Sequence, residues 1–136
     1  MANEHVLLVE SETPFSMTCS NSVGIERGAL LKMTDPNTVA ISAADNDIIA
    51  GIAAEEKIAN DGKTSISVYR GGKFKAIASG NITVGNALVS AAATGGANVV
   101  AAAAVNAENI VGISSETVST GETFEYELNP TVMNLA

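Results

Sequence analysis

Short apolar stretches, separated by Gly, Asn and Asp about every 8–12 residues, make up most of the chain from Val23 onward. This spacing is typical of an all-β sandwich or barrel, because each stretch has room for one strand and a tight turn. Alternation is clearest at residues 123–128, where three apolar residues alternate with two glutamates and give one apolar face. The pattern predicts strands at residues 29–33, 39–42, 48–53, 64–70, 73–78, 87–91, 99–103, 110–114 and 123–128.

The chain also contains an internal repeat. Three short motifs recur in the same order at offsets of 57, 61 and 59: GALL at 28–31 with GNAL at 85–88, IAGI at 49–52 with IVGI at 110–113, and GKT at 62–64 with GET at 121–123. The apolar face begins at Ile66, four residues after Gly62, in the first copy, but at Phe124, three residues after Gly121, in the second. Because of this one-residue difference, either a bulge intervenes or the copies bury opposite faces. The repeat predicts two similar β half-motifs, about 25–70 and 82–128, that close as a small barrel without free edges.

The first 22 residues differ from the rest. Four apolar residues at 6–9 precede an acidic segment and a stretch rich in Ser, Thr and Asn. We expect residues 1–22 to be an extended N-terminal arm with one short strand, followed by a single β-rich domain at 23–136. The other interpretation, that this segment supplies an ordinary first strand of the domain, remains open.

Two connecting segments carry predictions of their own. The sequence RGGK at residues 70–73 fits a two-residue hairpin turn. Residues 91–104 are rich in Ala, which favours helix, but Gly95 and Gly96 interrupt the segment and two valines follow. Two strands and a turn are preferred there, with a helix as the alternative, so at most one or two short helices are expected.

Charge limits the kinds of partner. The net charge of −8 on 136 residues makes binding to nucleic acid unexpected, because phosphate repels an acidic chain. No apolar run is long enough to cross a bilayer, and the first 26 residues lack the Lys and Arg of a signal peptide, so a soluble protein is expected. A cluster of basic residues forms either a solvated hairpin surface or a contact patch for an acidic neighbouring subunit. Its members are Lys57, Lys63, Arg70, Lys73 and Lys75.

No catalytic centre is predicted. A thiol–imidazole pair would have to use Cys19 and His5, which are the one Cys and the one His of the chain, and both lie in the N-terminal segment. Zinc-ligand spacing and phosphate-binding loops are absent from the sequence, so neither enzymatic activity nor a cofactor is expected. The segment DND at 45–47 begins like a calcium loop, but apolar residues stand at the next ligand positions, which favours a polar turn.

The order of motifs points to a family. Each half contains Ile, a Gly-x-x-Leu strand, a short strand, Ile-x-Gly-Ile with a trailing Glu, then Gly-x-Thr and an alternating strand. Over residues 23–130 this order resembles the capsid decoration (cement) proteins of tailed phages, of the lambda-head-decoration-like group. The resemblance implies a compact β-tulip domain. It also implies a structural protein, made in the host cytoplasm, that binds the major capsid protein on the outer surface of the phage head and stabilises the assembled capsid, commonly as a homotrimer at or near three-fold positions.

In that group an N-terminal arm often contacts the capsid by strand addition. The resemblance implies that the capsid-binding arm residues here are Val6, Leu7, Leu8, Val9 and Phe15. Two other functions remain open. A fibre or knob part of a virion exterior would use exposed aromatic residues at loop tips, and a lipoyl-like carrier or small-ligand domain would carry a modified lysine, for which Lys32 is the candidate.

Overall fold

The computed structural model describes residues 3–104 and 109–132. These residues form eleven strands and one four-residue helix, α1 (Ala92–Gly95). In chain order the strands are β1 (Val6–Val9), β2 (Phe15–Thr18), β3 (Leu30–Asp35), β4 (Thr38–Ile41), β5 (Ile49–Ala53), β6 (Ser65–Tyr69), β7 (Gly72–Ile77), β8 (Ala87–Ser90), β9 (Val100–Ala102), β10 (Asn109–Ser114) and β11 (Thr123–Val132). The prediction of a mostly β chain is confirmed, and each of the nine predicted strands coincides with an observed strand.

Strands β2 to β6 close into a five-stranded barrel in the order β2-β4-β3-β5-β6. The strands pair antiparallel except at the closure, where β2 and β4 run parallel and meet at Thr18 and Thr38. Alternate side chains point inward and fill the barrel with small and medium apolar groups. Its core consists of Met17, Cys19, Ile25, Ala29, Leu31, Val39, Ala50, Ala53, Ile66 and Val68.

The remaining strands form a six-stranded sheet in the order β1-β7-β11-β10-β8-β9. On β7 the alternation is strict: Phe74 and Ala76 are buried, whereas Lys73 and Lys75 are exposed. The core of this sheet also contains apolar residues that belong to the barrel strands β3 and β5. The two sheets therefore pack against each other through a shared apolar core.

Each of the two sheets contains one copy of a five-stranded unit, which is closed as a barrel in the first sheet and open in the second. We call β2–β6 (residues 15–69) unit 1 and β7–β11 (residues 72–132) unit 2. Read from β2 through β6, the barrel has the order β2-β6-β5-β3-β4, which matches β7-β11-β10-β8-β9 in unit 2. The pairings correspond too, since Leu31 lies opposite Gly51 as Leu88 lies opposite Gly112. The sequence repeat is thus a structural duplication, and it begins earlier in the chain than the motifs indicated.

Gly51 and Gly112 explain why the Ile-x-Gly-Ile motif recurs. A Cβ atom on Gly51 would lie 2.0 Å from the carbonyl oxygen of Tyr69, and one on Gly112 would lie 2.0 Å from that of Glu127. A backbone atom cannot give way as a flexible side chain can, so only glycine lets β5 and β10 approach the following strand this closely.

The one-residue difference in register between the two copies, at Ile66 and Phe124, arises in a turn. Ile66 and Phe124 are both buried on the inward face of their units, so the copies do not bury opposite faces. The difference of one residue lies in the turn, because β6 begins three residues after Gly62 and β11 begins two residues after Gly121.

The prediction of an extended N-terminal arm is corrected. β1 pairs with β7, β2 pairs with β6, and Met17 and Cys19 are buried in the core of the barrel. The segment folds into the body because unit 1 needs β2 as its first strand, as unit 2 needs β7. The alternative interpretation, in which this segment supplies ordinary strands of the domain, describes the structure.

The predicted hairpin turn at residues 70–73 is also corrected. β6 pairs with β2 and β5, and β7 pairs with β1 and β11, so the link connects the two units instead of closing a hairpin. Residues 91–104 do not form the two strands predicted there, since the short helix α1 takes the place of the first strand and is followed by β9. Among the described residues, no helix has the length and hydropathy needed to cross a membrane.

Candidate binding surface

β1 lies at the edge of the second sheet and carries an exposed apolar surface. It pairs on one side with β7, where Leu7 lies opposite Phe74 and packs against the core. Val6 and Val9 are each 55% exposed, and Leu8 is also exposed. An exposed apolar edge strand can pair with another chain through its free backbone groups. Four of the five predicted arm residues therefore lie on one edge strand, with Leu7 turned inward.

His5, directly before β1, fixes this strand to both units. Its Nδ1 accepts a hydrogen bond from the Tyr126 hydroxyl at 2.5 Å, and its Nε2 donates to the carbonyl oxygen of Asn98 at 2.8 Å. Its backbone N–H donates to the carbonyl oxygen of Gly28 in unit 1 at 2.8 Å. The Asn98 side chain in turn accepts from the N–H of Leu30 at 2.9 Å. This hydrogen-bond network sets the position of β1.

The network is uncharged at neutral pH. Burial lowers the pKa of His5 to about 4, although the hydrogen bond to Asn98 opposes the shift. Burial also raises the pKa of Tyr126 well above its ordinary value. A neutral imidazole offers one donor and one acceptor, and each has a partner here, so the ring is satisfied without charge.

Phe15, the fifth predicted arm residue, lies at the start of β2 rather than near β1. It pairs with Val68, and it is on the same face of β2 as Met17, which is buried in the barrel. Phe15 itself is 49% exposed. It therefore sits at an open end of the barrel, with its ring partly in solvent.

The prediction that Lys57 belongs to an exposed basic patch is wrong. Its side chain is buried, and Nζ donates to the carbonyl oxygens of Asn21, Val23 and Ile58 at 2.8, 3.3 and 3.2 Å. Nζ also lies 3.4 Å from Oδ1 of Asp61. The Lys63 N–H, with a further contribution from the Lys57 ammonium, lowers the pKa of Asp61. Lys57 is a structural cation that ties together the loops beside β6.

The other four basic residues lie on different elements. Lys73 and Lys75 lie on β7, opposite Glu127 and Glu125 of β11, so their charges face acidic neighbours across the strands. On their other side they border Val9 and Val6 of β1. Lys63 precedes β6, and Arg70 lies in the link between the units.

Sequence reasoning missed Ile113 as an exposed apolar residue. It lies on β10 opposite Glu127 and is 47% exposed. Its counterpart in unit 1, Ile52, is buried in the core shared by the two units. The repeat predicts the same burial for both positions, and their burial differs because unit 1 packs on unit 2.

The candidates for chemistry do not come together. Cys19 lies in the barrel core, where burial raises the pKa of its thiol, whereas both ring nitrogens of His5 are bonded elsewhere. Asp47 accepts hydrogen bonds from Ser42 and from two backbone N–H groups, as expected for a polar turn. Lys32 lies within β3, opposite Ala40, and not at a hairpin tip. Within residues 3–104 and 109–132 there is no cluster of three or more metal-ligating side chains.

A cavity of about 300 Å³ lies where β1 meets the two units. Its lining includes Leu7, Ile52, Tyr69 and Phe74, and it is mainly apolar. His5 also borders it, but both nitrogens of its ring are occupied by hydrogen bonds. The cavity thus offers mainly apolar packing, and Glu4 and Arg27 are the charged residues of its lining.

Comparison with known proteins bears on the fold. No protein-family model matches the chain, and no curated protein matches its sequence. The fold is similar to that of a solved structure described as the head fiber gp8.5 N base in bacteriophage phi29, with a TM-score of 0.54 and 15% sequence identity. The similarity covers 88% of this chain and 96% of that chain, so the likeness of fold extends over most of both chains.

Proposed function

We propose that this protein is a structural component of a tailed-phage head, which binds the outer surface of the capsid and stabilises the assembled shell. One observation carries the proposal: the duplicated β fold is similar, over nearly its full length, to the base of a phage head fibre. The motif order of the two halves, which resembles capsid cement proteins, is independent support from the sequence.

The exposed apolar residues provide a means of attachment. Val6, Leu8 and Val9 lie on an edge strand, and Phe15 lies at the open end of the barrel, so apolar contact and strand pairing are both available to a partner. The proposed partner is the major capsid protein, with self-association as a trimer at or near three-fold positions. The net charge of −8 suits a position outside the shell, away from the packaged DNA.

The proposed mechanism is thermodynamic. A protein that binds the assembled shell but not its free subunits stabilises the shell by mass action. Contacts that bridge neighbouring capsid subunits add to this effect, because the second contact is made at high effective concentration. No catalytic step is required, and the described residues contribute packing and shape rather than chemistry.

A second candidate is the base of a head fibre. The specific observation in its favour is that the similar solved structure is described as a head fiber base. The two roles differ in their expected effect on the head. A cement protein saturates many sites and raises the melting temperature of the head, whereas a fibre base anchors a projecting structure and need not change that temperature.

The test is co-sedimentation of the full chain with intact, DNA-filled heads of a candidate phage that lack it. Cement function predicts saturable binding at a fixed number of copies per head, together with a raised head melting temperature. Saturable binding that leaves the melting temperature unchanged would favour the fibre base. The absence of binding to any mature head would refute both roles.

Attachment through β1 can be tested in the same assay. Val9→Lys places a charge on the exposed face of β1, so it should weaken binding to heads while the protein stays folded. Ile58→Lys is the matched control, since Ile58 is an exposed apolar residue far from β1 in the sequence and outside the sheet. Equal binding by the two variants would show that β1 is not the attachment site.

A further inference from the structure

The duplication allows the two units to be compared position by position, and the comparison singles out Phe15. Met17 pairs with Ile66 in unit 1 as Ala76 pairs with Phe124 in unit 2. Phe15 of β2 therefore corresponds to Phe74 of β7, and the same residue type stands at the same place in both copies.

The two phenylalanines differ in burial. Phe74 is 1% exposed, whereas Phe15 is 49% exposed. Phe74 is covered by Tyr69 of unit 1, with ring centroids 5.7 Å apart, and by Leu7 of β1, which lies directly opposite it. On the side of β2 away from β6, no described strand pairs with Phe15 as β1 pairs with Phe74.

The backbone shows the same difference. In unit 2, β1 pairs with β7 on the side away from β11, next to residues 73–75. In unit 1 the corresponding side of β2 pairs with β4 at Thr18, and no described strand pairs with it at residues 14–16. We call residues 14–16, on the side of β2 away from β6, the β2 edge.

We propose that the β2 edge binds an extended apolar segment with basic flanks, supplied by the assembly partner of this protein. The bound segment takes the place at β2 that β1 takes at β7, and an aliphatic side chain covers the ring of Phe15 as Leu7 covers Phe74. The identity of the partner rests on the proposed function, whereas the binding site itself does not.

The chemistry of the bound segment follows from the sequence of β1, which occupies the equivalent place at β7, and from the charges near the β2 edge. β1 has the sequence VLLV and no charge, which suits a strand packed over an aromatic ring. Two acidic residues lie near the ends of the β2 edge: Glu12 precedes it by two residues, and Asp35, the last residue of β3, pairs with Thr38, which also pairs with Thr18 of β2. A segment with Lys or Arg at both ends complements this arrangement.

A second copy of this chain fits the site less well. Each copy carries a net charge of −8, and β1 is itself flanked by Glu4 and Glu10. A copy that donated β1 would also uncover its own Phe74. Pro14, where unit 2 has Lys73, has no N–H to donate, so the contact with Phe15 is the main source of affinity.

The probe for the test is the synthetic peptide KKVLLVKK, titrated into the isotopically labelled full chain. We expect saturable one-to-one binding, with the largest NMR shift changes at residues 14–18. Phe15→Ser should weaken binding by about tenfold or more without unfolding the protein, because Phe15 is half exposed. Val84→Ser, at an exposed apolar residue elsewhere, is the matched control and should bind as the wild type does.

Three outcomes would overturn the inference. They are the absence of binding, shift changes confined to β1, and equal affinity of the Phe15→Ser variant. The wild type could instead self-associate and fail to bind the peptide. If Phe15→Ser then abolished the self-association, a second copy of the chain would be identified as the occupant. The peptide EEVLLVEE tests the charge argument, and it should bind more weakly than KKVLLVKK.

The assay with heads separates this inference from the proposed function. If the wild type binds heads and Phe15→Ser binds them equally well, the β2 edge plays no part in assembly and the inference fails alone. If the peptide binds at β2 but no head does, the proposed function fails while the binding site stands.

Discussion

The buried ring of His5 links three separate parts of the chain through two hydrogen bonds, and the one that Nδ1 accepts requires the neutral ring. Nε2 donates to Asn98, and Nδ1 accepts from Tyr126. Protonation would turn the acceptor into a donor and would place a charge in the core. The stability of the whole fold is therefore linked to the pKa of this one residue.

Acidification should expose this linkage. The folded-state pKa of His5 is lowered to about 4, from an ordinary value of 6.5, so below pH 6.5 the unfolded chain binds the proton more readily and stability falls as the pH falls toward 4. Between pH 7 and pH 4.5 this group should account for a loss of about 2 kcal/mol of unfolding free energy.

Urea denaturation of the wild type and of His5→Gln at both pH values measures that loss. The variant should be less stable at neutral pH but should lose about 2 kcal/mol less on acidification, because its carboxylates titrate as in the wild type. An identical pH dependence in the two proteins would contradict the assignment.

The paired glycines make a second prediction for single residues. Gly51→Ala and Gly112→Ala should each reduce stability by at least about 2 kcal/mol, since each new Cβ meets a backbone carbonyl oxygen. Gly121→Ala is the control, because it has open space but a positive φ of 84°, and it should cost about 1 kcal/mol. Melting temperatures of the three variants provide the comparison, and equal effects would argue against the close approach.

At the level of strands, the duplication creates two equivalent positions with different surroundings. β7 is covered by β1, whereas β2 is open along residues 14–16. Strand pairing and side-chain burial differ together, since β1 both pairs with the backbone of β7 and covers the ring of Phe74. Phe15 is therefore exposed because no described strand pairs with β2 beside it, and not because of the sequence of β2.

Alanine substitution of the equivalent phenylalanines should show this directly. Phe74→Ala should cost about 3–5 kcal/mol, because it leaves a cavity in a closed core, whereas Phe15→Ala should cost less than about 1 kcal/mol. Chemical denaturation of both variants gives the two values. Similar costs would mean that Phe15 is as well packed as Phe74.

Truncation tests whether the N-terminal strands belong to the body. Deletion of residues 2–20 removes β1 and β2, which includes one strand of the closed barrel and the buried Met17 and Cys19. The truncated protein should fail to fold, as judged by the loss of dispersed amide NMR signals. A folded product would restore the arm interpretation, in which this segment is dispensable.

For the whole molecule, the shared core makes the two units one cooperative structure. Leu30, Ile49 and Ile52 of unit 1 pack in the same cluster as Phe74, Phe124 and Tyr126 of unit 2. Loss of either unit would expose this cluster to water, so neither unit is expected to be stable while the other is unfolded.

Calorimetry should accordingly show a single unfolding transition. Ile52→Ala, at the contact between the units, should lower the melting temperature of that transition without splitting it, at a cost of about 2–4 kcal/mol. Its counterpart Ile113→Ala is the control and should have little effect, because Ile113 is half exposed. Two separate transitions would show that the units fold independently.

The sequence by itself determined the local features. Strand positions follow from the alternation of apolar and polar residues, which depends only on neighbours along the chain. The recurring glycines also marked the duplication. The missed strand, β2, lies in a polar segment in which only Phe15 and Met17 indicate the alternation.

Only the tertiary structure decided which strands pair and which side chains are buried. It showed that residues 70–73 connect two units, that Lys57 is enclosed by backbone carbonyls, and that Phe15 and Phe74 have opposite environments at equivalent positions. Burial depends on residues far away in the chain that supply the covering atoms. A repeat in the sequence specifies like strands, but the first and second copies have different neighbours, and the neighbours decide which surface remains free to bind.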